Sequence, residues 1–572
     1  MQLMIDGRTA ETENGESLLS IVKRIGLDTD SLKTRPLAAM IGTDVFPLLY
    51  SPTQKNGEVE GDESMRRAAR RANGVIRLLR FQDNAGYMVY ERSALFIFIL
   101  AVRRCFPSAK VKFDFSLGQG IFCEVNREES PELTGKDIQT IKDAFQKIVE
   151  EDRPLVKKHL DVLDAVDVFT ADGQQDKVRL LEWRPFSFFN VYELDGYKDY
   201  FYGEMVPSTG YVKLFDIVKM KKGVILLKPD KENPDKVADA ENKEKLYKRF
   251  RISDDWNSLM ECSVVADLND KIRSGEIREL VRVNEALHER EFAAIASKIV
   301  NRNAKVVMIA GPSSSGKTTS ANRLCVQLRV LGKKPILMSL DDYYLDRDKI
   351  EKEPDGSIDL EHIRTIDTEL FGENLRDLLN NKCVQIPSFD FLKQKRFYDE
   401  NKKLRIDDNA VLVIEGIHAL NPVLLPDEID RKDIFKLSLT ALTTLNLDDH
   451  NRIPTTQIRL LRRIVRDYNT RGASIERTLS MWDSVRRGEE RWIFPFQEEA
   501  DEIFDSALVY EPAVLKKYIY PILINVRPDN PYYYEVHTLM KFLNYFLVAN
   551  VEDEIPPTSV IREFIGGNTF YE

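Results

Sequence analysis

The chain has 572 residues, 43% hydrophobic and 31% charged, with 83 basic and 93 acidic side chains and a formal net charge of −10. That length suits three or four domains, and the acidic balance argues against a general nucleic-acid binder while leaving room for a local basic patch. Five scattered cysteines without a CxxC, and six histidines without an HxxH or HxxxH pair, argue against a structural zinc site and suggest reduced thiols in a cytoplasm.

Met1–Ile5 alternates as a strand, and Asp6-Gly7 is a hairpin turn signal. Leu18, Ile21, Val22 and Ile25 follow at helical spacing, and Ala38–Ile41 and Val45–Leu49 are strand-like. Residues 1–60 therefore read as a small α+β unit, and Lys55–Ser64, polar and acidic, as a linker. A second α+β block is expected over residues 65–230. Its elements are a helix at Ser93–Arg103, paired strands at Val111–Phe115 and Gly120–Val125, and an amphipathic helix at Lys136–Glu151. The most apolar run, Ala94–Val102, is too short for a membrane span, and the N-terminus does not read as a signal peptide. The basic run Arg66, Arg67, Arg70, Arg71, Arg77 and Arg80 is read as a solvated helix face in preference to a tRNA contact. Residues 240–303 are expected to be a mainly helical connector, with Leu280, Val283 and Leu287 at helical spacing.

From Lys305 the pattern changes. Val306–Ala310 is a short buried strand, followed by a Gly-rich loop and a helix; Pro335–Leu340 and Ala410–Ile414 are two more apolar strands. Strand and helix in alternation imply a doubly wound parallel sheet with helices on both faces, over residues 304–520, with a helical extension at 521–572.

Gly311-Pro-Ser313-Ser314-Ser315-Gly316-Lys317-Thr318-Thr319 fits the phosphate-loop pattern in its required place, between strand and helix. The glycines let backbone N–H groups turn towards phosphate oxygens, the helix adds its positive end, Lys317 adds a cation, and the Thr318 hydroxyl can ligate Mg²⁺. Such a loop could serve an ATPase, a GTPase or a switch; no NKxD segment marks a GTPase, and ATP and Mg²⁺ are the expected cofactors. Asp341-Asp342 directly follows the second strand, where ligands bind in open α/β sheets; one carboxylate could accept a hydroxyl proton. Glu415 ends an apolar strand as a Walker B carboxylate would and could hold Mg²⁺ through water. Arg459, Arg463 and Arg466 share one helical face and can clamp phosphates as a lid. A solvated charged helix is the alternative.

Together GPSSSGKTT, SLDDYY, IPSFDF, VIEGIHAL, RRIVRDYNTRG and FPFQEEADEIFDSALVYE resemble the uridine kinase and phosphoribulokinase family, over about Ala304 to Tyr518. The resemblance implies transfer of the ATP γ-phosphate to a nucleoside 5′-hydroxyl, with another sugar or polyol acceptor as the alternative. It implies Asp341 as the base and Arg463, Arg466 and Arg471 as lid arginines. Tyr344, Phe389, Gln394 and Arg396 fall in the acceptor region, and Glu361 falls where the family often has a ribose-binding Asp. The family's base-binding segment carries Tyr-Asp-Phe and a nearby His; here stand Phe389-Asp390-Phe391 and Gln394. The lid is preceded by extra residues around Asn446 to Thr456. Homo-oligomers are common in this family.

The N-terminal half resembles something different. Residues 1–60 look like a TGS domain, a β-grasp module, and residues 65–230 like the editing domain of threonyl-tRNA synthetases, most clearly at Met205-Val-Pro-Ser-Thr-Gly210. At the positions of that family's metal-type ligands stand Arg92, Phe96, Phe201 and Met205, so the resemblance implies a site without a metal. It also opens a reading as an RNA- or ribosome-associated regulator whose phosphate loop is a nucleotide switch.

Overall fold

Residues 2–13, 15–53, 62–127, 132–183, 187–351, 359–390 and 393–570 are described by the computed structural model. The first unit is a five-stranded mixed sheet, in the order Arg8–Glu11, Gln2–Ile5, Val75–Leu79, Ala38–Ile41, Asp44–Phe46. Helix Leu18–Arg24 buries Leu18, Ile21 and Val22 against it. The central strand comes from beyond residue 60, so this unit runs to about residue 80 and the boundary expected at 60 is corrected. The expected linker lies, up to Gly61, outside the described residues, and Asp62 opens a helix that ends at Arg71. Asn73 and Gly74 then adopt positive φ (50° and 74°) and turn the chain into the inner strand. The basic run is therefore no single helix face. Arg67, Arg70 and Arg71 are exposed on the helix, Arg77 lies on the strand, and Arg80 pairs with Asp6 at 2.7 Å.

The apolar run Ala94–Val102 is the middle of a longer helix, Asn84–Cys105. By length and composition this helix could cross a membrane, but 78% of its apolar window is buried inside the protein. It packs with helix Gly135–Glu150 and a four-stranded antiparallel sheet ordered 216–220, 223–227, 120–126, 110–117. A three-stranded sheet (156–161, 188–194, 197–199) completes this module.

In the C-terminal half, five parallel strands stand in the order Lys334–Ser339, Ala410–Glu415, Val306–Ala310, Ile434–Thr440, Glu502–Asp505. Strand side chains alternate between faces. Val306 and Met308 thus join helix Thr368–Leu379 through Phe371 and Leu375. Val307 and Ile309 join the P-loop helix, Lys317–Val330, through Ala321 and Leu324. Helix Ile277–Asn301 of the connector adds Phe292, Ile295 and Ile299 to that second face, so the connector is a structural layer of the C-terminal fold.

The extra residues before the expected lid form a hairpin, Asn446–Asp448 with Asn451–Arg452, that enters the N-terminal half. Phe113 N–H donates to the Asp449 carbonyl at 2.9 Å, and the Asn446 amide donates to the Phe113 carbonyl at 2.9 Å. Asn451 donates to the Tyr200 carbonyl at 2.9 Å and accepts from Tyr202 N–H at 3.0 Å. Beneath it, Lys177 lies 3.2 Å from Asp199, 3.4 Å from Asp448 and 2.9 Å from His450, nearly all of it out of solvent. Burial works against the Asp199 charge, but His450 and Lys177 outweigh it and hold the carboxyl below the ordinary range.

Candidate active site

The parallel sheet brings three chain segments together at the carboxyl ends of its strands. The first is the loop after Val306–Ala310. Ser314 and Gly316 take positive φ (60° and 79°), which curls the loop before the helix begins at Lys317. A Cβ on Gly316 would lie 2.4 Å from Val560 Cγ1, so backbone freedom and close packing both favour glycine there. The buried hydroxyls of Ser314 and Ser315 have no hydrogen-bond partner among the described residues. Lys317 Nζ arches back to the Pro312 carbonyl at 3.3 Å. Inward hydroxyls, a lysine and a helix N-terminus make a receptor for phosphate oxygens.

Second and third are the ends of the neighbouring strands. Ser339 pairs with Glu415 in register, and its hydroxyl donates to Glu415 Oε1 at 3.1 Å. The Thr318 hydroxyl reaches the same oxygen at 3.4 Å. Burial and the nearby Asp341 charge push Glu415 up to about 7, against Lys317 and the Ser339 hydrogen bond. A hydroxyl and a carboxylate this close are hard oxygen donors that suit Mg²⁺. Asp341 opens the turn after the second strand. Burial raises its carboxyl above the ordinary value; Lys317 opposes this and Asp342 adds to it.

The arginine helix, Thr455–Arg471, departs from expectation. Arg459 and Arg462 are fully buried, so the helix is neither a solvated face nor, at Arg459, a phosphate clamp. Ile458, Leu461, Ile464 and Val465 seat it in the core. Arg459 pairs with Glu489 and donates to the Ser313 carbonyl at 3.1 Å; Arg462 pairs with Glu511 and donates to the Ser314 carbonyl at 3.2 Å. Arg463 donates to the Ser313 hydroxyl at 2.8 Å. Arg463, Arg466 and Arg471 all face Asp467, at 3.3, 3.5 and 3.3 Å. The arginines thus hold the phosphate loop from behind or border it.

Tyr344 packs its ring against Phe389 (centroids 5.6 Å apart). Burial, with the charges of Asp341, Glu361 and Glu415, lifts its phenol well above the ordinary value. Burial also pushes Glu361 up to about 7, against Arg463, while Glu489 adds to the rise. These residues converge. Two others are engaged elsewhere: Gln394 sits in an exposed turn at φ 55° and accepts from Arg347 at 2.8 Å. Arg396 binds Asp367 at 2.9 Å and the Tyr344 carbonyl at 3.2 Å. Phe391 lies outside the described residues.

Sequence reasoning missed Glu489, which is buried, accepts from Ser313 N–H at 3.2 Å and pairs with Arg459 and Arg486. It lies 30 residues from Arg459, and no local pattern announces it. Asp467 was within reach, since it stands four residues after Arg463 and four before Arg471. Thr319 accepts from the Asn568 amide at 3.2 Å and donates to Glu563 at 3.0 Å, contacts that no motif in the far C-terminus suggests.

Residues 306–510 match the phosphoribulokinase/uridine kinase family. The uridine kinase of Staphylococcus haemolyticus (strain JCSC1435) is 30% identical over 202 residues, covering 35% of this chain and 87% of that protein. The uridine kinase of Macrococcus caseolyticus (strain JCSC5402) is 30% identical over 199 residues, covering 35% and 86%. Among solved structures, a possible uridine kinase from Bacillus stearothermophilus is 20% identical, covering 38% of this chain and 98% of that one (TM-score 0.26). D-glycerate 3-kinase from Cryptococcus neoformans is 14% identical, covering 35% and 87% (TM-score 0.25).

Proposed function

The chain belongs to the phosphoribulokinase/uridine kinase family through residues 306–510, and we propose that it transfers the γ-phosphate of ATP to the 5′-hydroxyl of a nucleoside such as uridine or cytidine. The observation that carries this reading is the meeting of Lys317, Asp341 and Glu415 at the carboxyl ends of neighbouring strands, where the Lys317 charge acts on both buried carboxylates. In the proposed step the hydroxyl oxygen bonds to the γ-phosphorus, the bond to the ADP oxygen breaks, and Asp341 takes the hydroxyl proton. Lys317, Arg463, Arg466 and Arg471 counter the charge spread over the transferring group. Thr318 and Glu415 would hold Mg²⁺, which when bound neutralises phosphate charge. Tyr344, Phe389 and Glu361 would line the acceptor.

A second reading keeps the chemistry and changes the acceptor to another sugar or polyol. It draws on Gln394, which is exposed and bound to Arg347, and Arg396, which is committed to Asp367; neither is disposed to read a base.

For the N-terminal half we propose a TGS-like module followed by an editing-like module with no metal centre. Phe96 and Phe201 stack edge-on at 6.0 Å, Met205 is buried beside them, and His450 of the hairpin lies over Phe201 at 6.5 Å. The two phenyl rings offer no lone pair, the Met205 thioether suits only soft metals, and His450 is engaged by Asp199 and Lys177.

The test is transfer of labelled phosphate from ATP to a panel of nucleosides, sugars and polyols, with Lys317→Ala as blank. Labelled uridine or cytidine monophosphate, lost by at least about 100-fold in the mutant, is the expected outcome. Label on another acceptor selects the second reading. ATP binding with no labelled product overturns both and favours a nucleotide-dependent RNA- or ribosome-associated regulator.

A further inference from the structure

Residues 559–568 lie outside the family match, yet they reach the phosphate loop. Val560, Ile561 and Phe564 are fully buried. Val560 packs on Gly316, and Phe564 lies under the Arg462 guanidinium at 5.1 Å. Ser559 is clipped to Glu285 of the connector at 2.5 Å. This apolar anchoring alone would seat the segment. It also carries a carboxylate to the phosphate side, where an unbalanced negative charge would repel a nucleotide. Glu563 Oε2 accepts from the Thr319 hydroxyl at 3.0 Å, while Glu563 Oε1 faces Arg466 Nη1 at 3.6 Å. Asn568 secures the same hydroxyl from the other side at 3.2 Å.

We propose that Glu563 is a positioning residue of the nucleotide site, tying Arg466 of the arginine helix to Thr319 at the head of the P-loop helix. The inference rests on the kinase reading above. Thr319 belongs to the helix turn whose N–H groups face phosphate, and Arg466 is one of the cations that border it. Glu563 bridges the two walls, so its charge is spent on Arg466 and away from the nucleotide. The alternative anchor for Arg466 is Asp467, at 3.5 Å, which Arg463 and Arg471 already share. Without Glu563 the Arg466 side chain loses its fixed direction, and part of the binding energy goes into ordering it.

The test is the affinity of the full-length protein for a fluorescent ATP analogue with Mg²⁺, in Glu563→Gln, Arg466→Ala and the double variant, with melting curves alongside. Glu563→Gln keeps the side chain's shape and removes its charge. It is expected to weaken binding by roughly tenfold with little change in melting, and to weaken it no further in the Arg466→Ala background. Glu563→Asp should recover part of the loss. Thr319→Val cuts the same tie from the opposite side without touching the tail's packing, and its cost should likewise not multiply with that of Glu563→Gln. Wild-type affinity in Glu563→Gln, or costs that multiply in the double variants, overturns the tie and leaves the kinase reading intact. A wild-type protein that binds no ATP analogue overturns both.

Discussion

Asp341→Asn is expected to lower turnover by about 10²–10⁴-fold while ATP binding stays within a fewfold of wild type. Asparagine keeps the volume and one carbonyl acceptor but takes no proton, so only the transfer step should suffer. The environment suits a base: burial and Asp342 raise the carboxyl, and Lys317 restrains the rise. The sign for pH follows. A base works when ionised, so activity is present above the raised value and lost as pH falls through it. The acid limb of kcat/KM should therefore lie above the ordinary carboxylate range of about 4. Equal turnover in the mutant would remove Asp341 from the chemistry. A mutant that also stopped binding ATP would show that the carboxylate shapes the phosphate site instead.

Lys177→Met is expected to cost on the order of 3–5 kcal/mol, the largest stability loss of any single substitution considered. Methionine fills the space but leaves Asp199 and Asp448, both fully buried, facing one another with His450 left as their counter-charge. Such a site must protonate, take in water or open. The readout is the apparent melting temperature, expected to fall by about 5 °C or more, together with early proteolytic cleavage between the halves. The two carboxyls respond to pH with opposite signs, since burial raises Asp448 while the cations lower Asp199, and the acid-side loss comes from Asp199. Its folded value lies below the unfolded one, so its contribution is complete above about pH 4 and is lost as pH falls towards the folded value. A melting curve superimposable on wild type would mean the cluster relaxes at no cost.

The sequence made the phosphate loop and the strand-end carboxylates legible because each is local. Glycines, a lysine and a hydroxyl must stand at fixed spacing to bind phosphate, and a strand's last residue is easy to place. The parallel sheet followed from apolar strands alternating with helices. The arginine helix misled for a physical reason: charge at helical spacing reads as solvent exposure, and only the distant Glu489 and Glu511 make burial of Arg459 and Arg462 affordable. The first boundary misled likewise. A polar stretch near residue 60 looks like a division, but Val75–Leu79 returns to the centre of the first sheet, a non-local pairing that composition cannot report. Gln394 stands near the acceptor motif in sequence, yet its turn carries it to the surface.

The hairpin at Asn446–Arg452 bears on how the chain is made. Lys177 and His450 touch although they are 273 residues apart. A ribosome adding roughly 5–20 residues per second leaves an interval on the order of tens of seconds between them. Throughout that interval the N-terminal half exists with Lys177 and Asp199 still hydrated, and with the edge at Phe113 still lacking its Asp449 carbonyl. Those contacts form only when the hairpin emerges, so the first half of the polypeptide to be synthesised waits for the second to complete its packing.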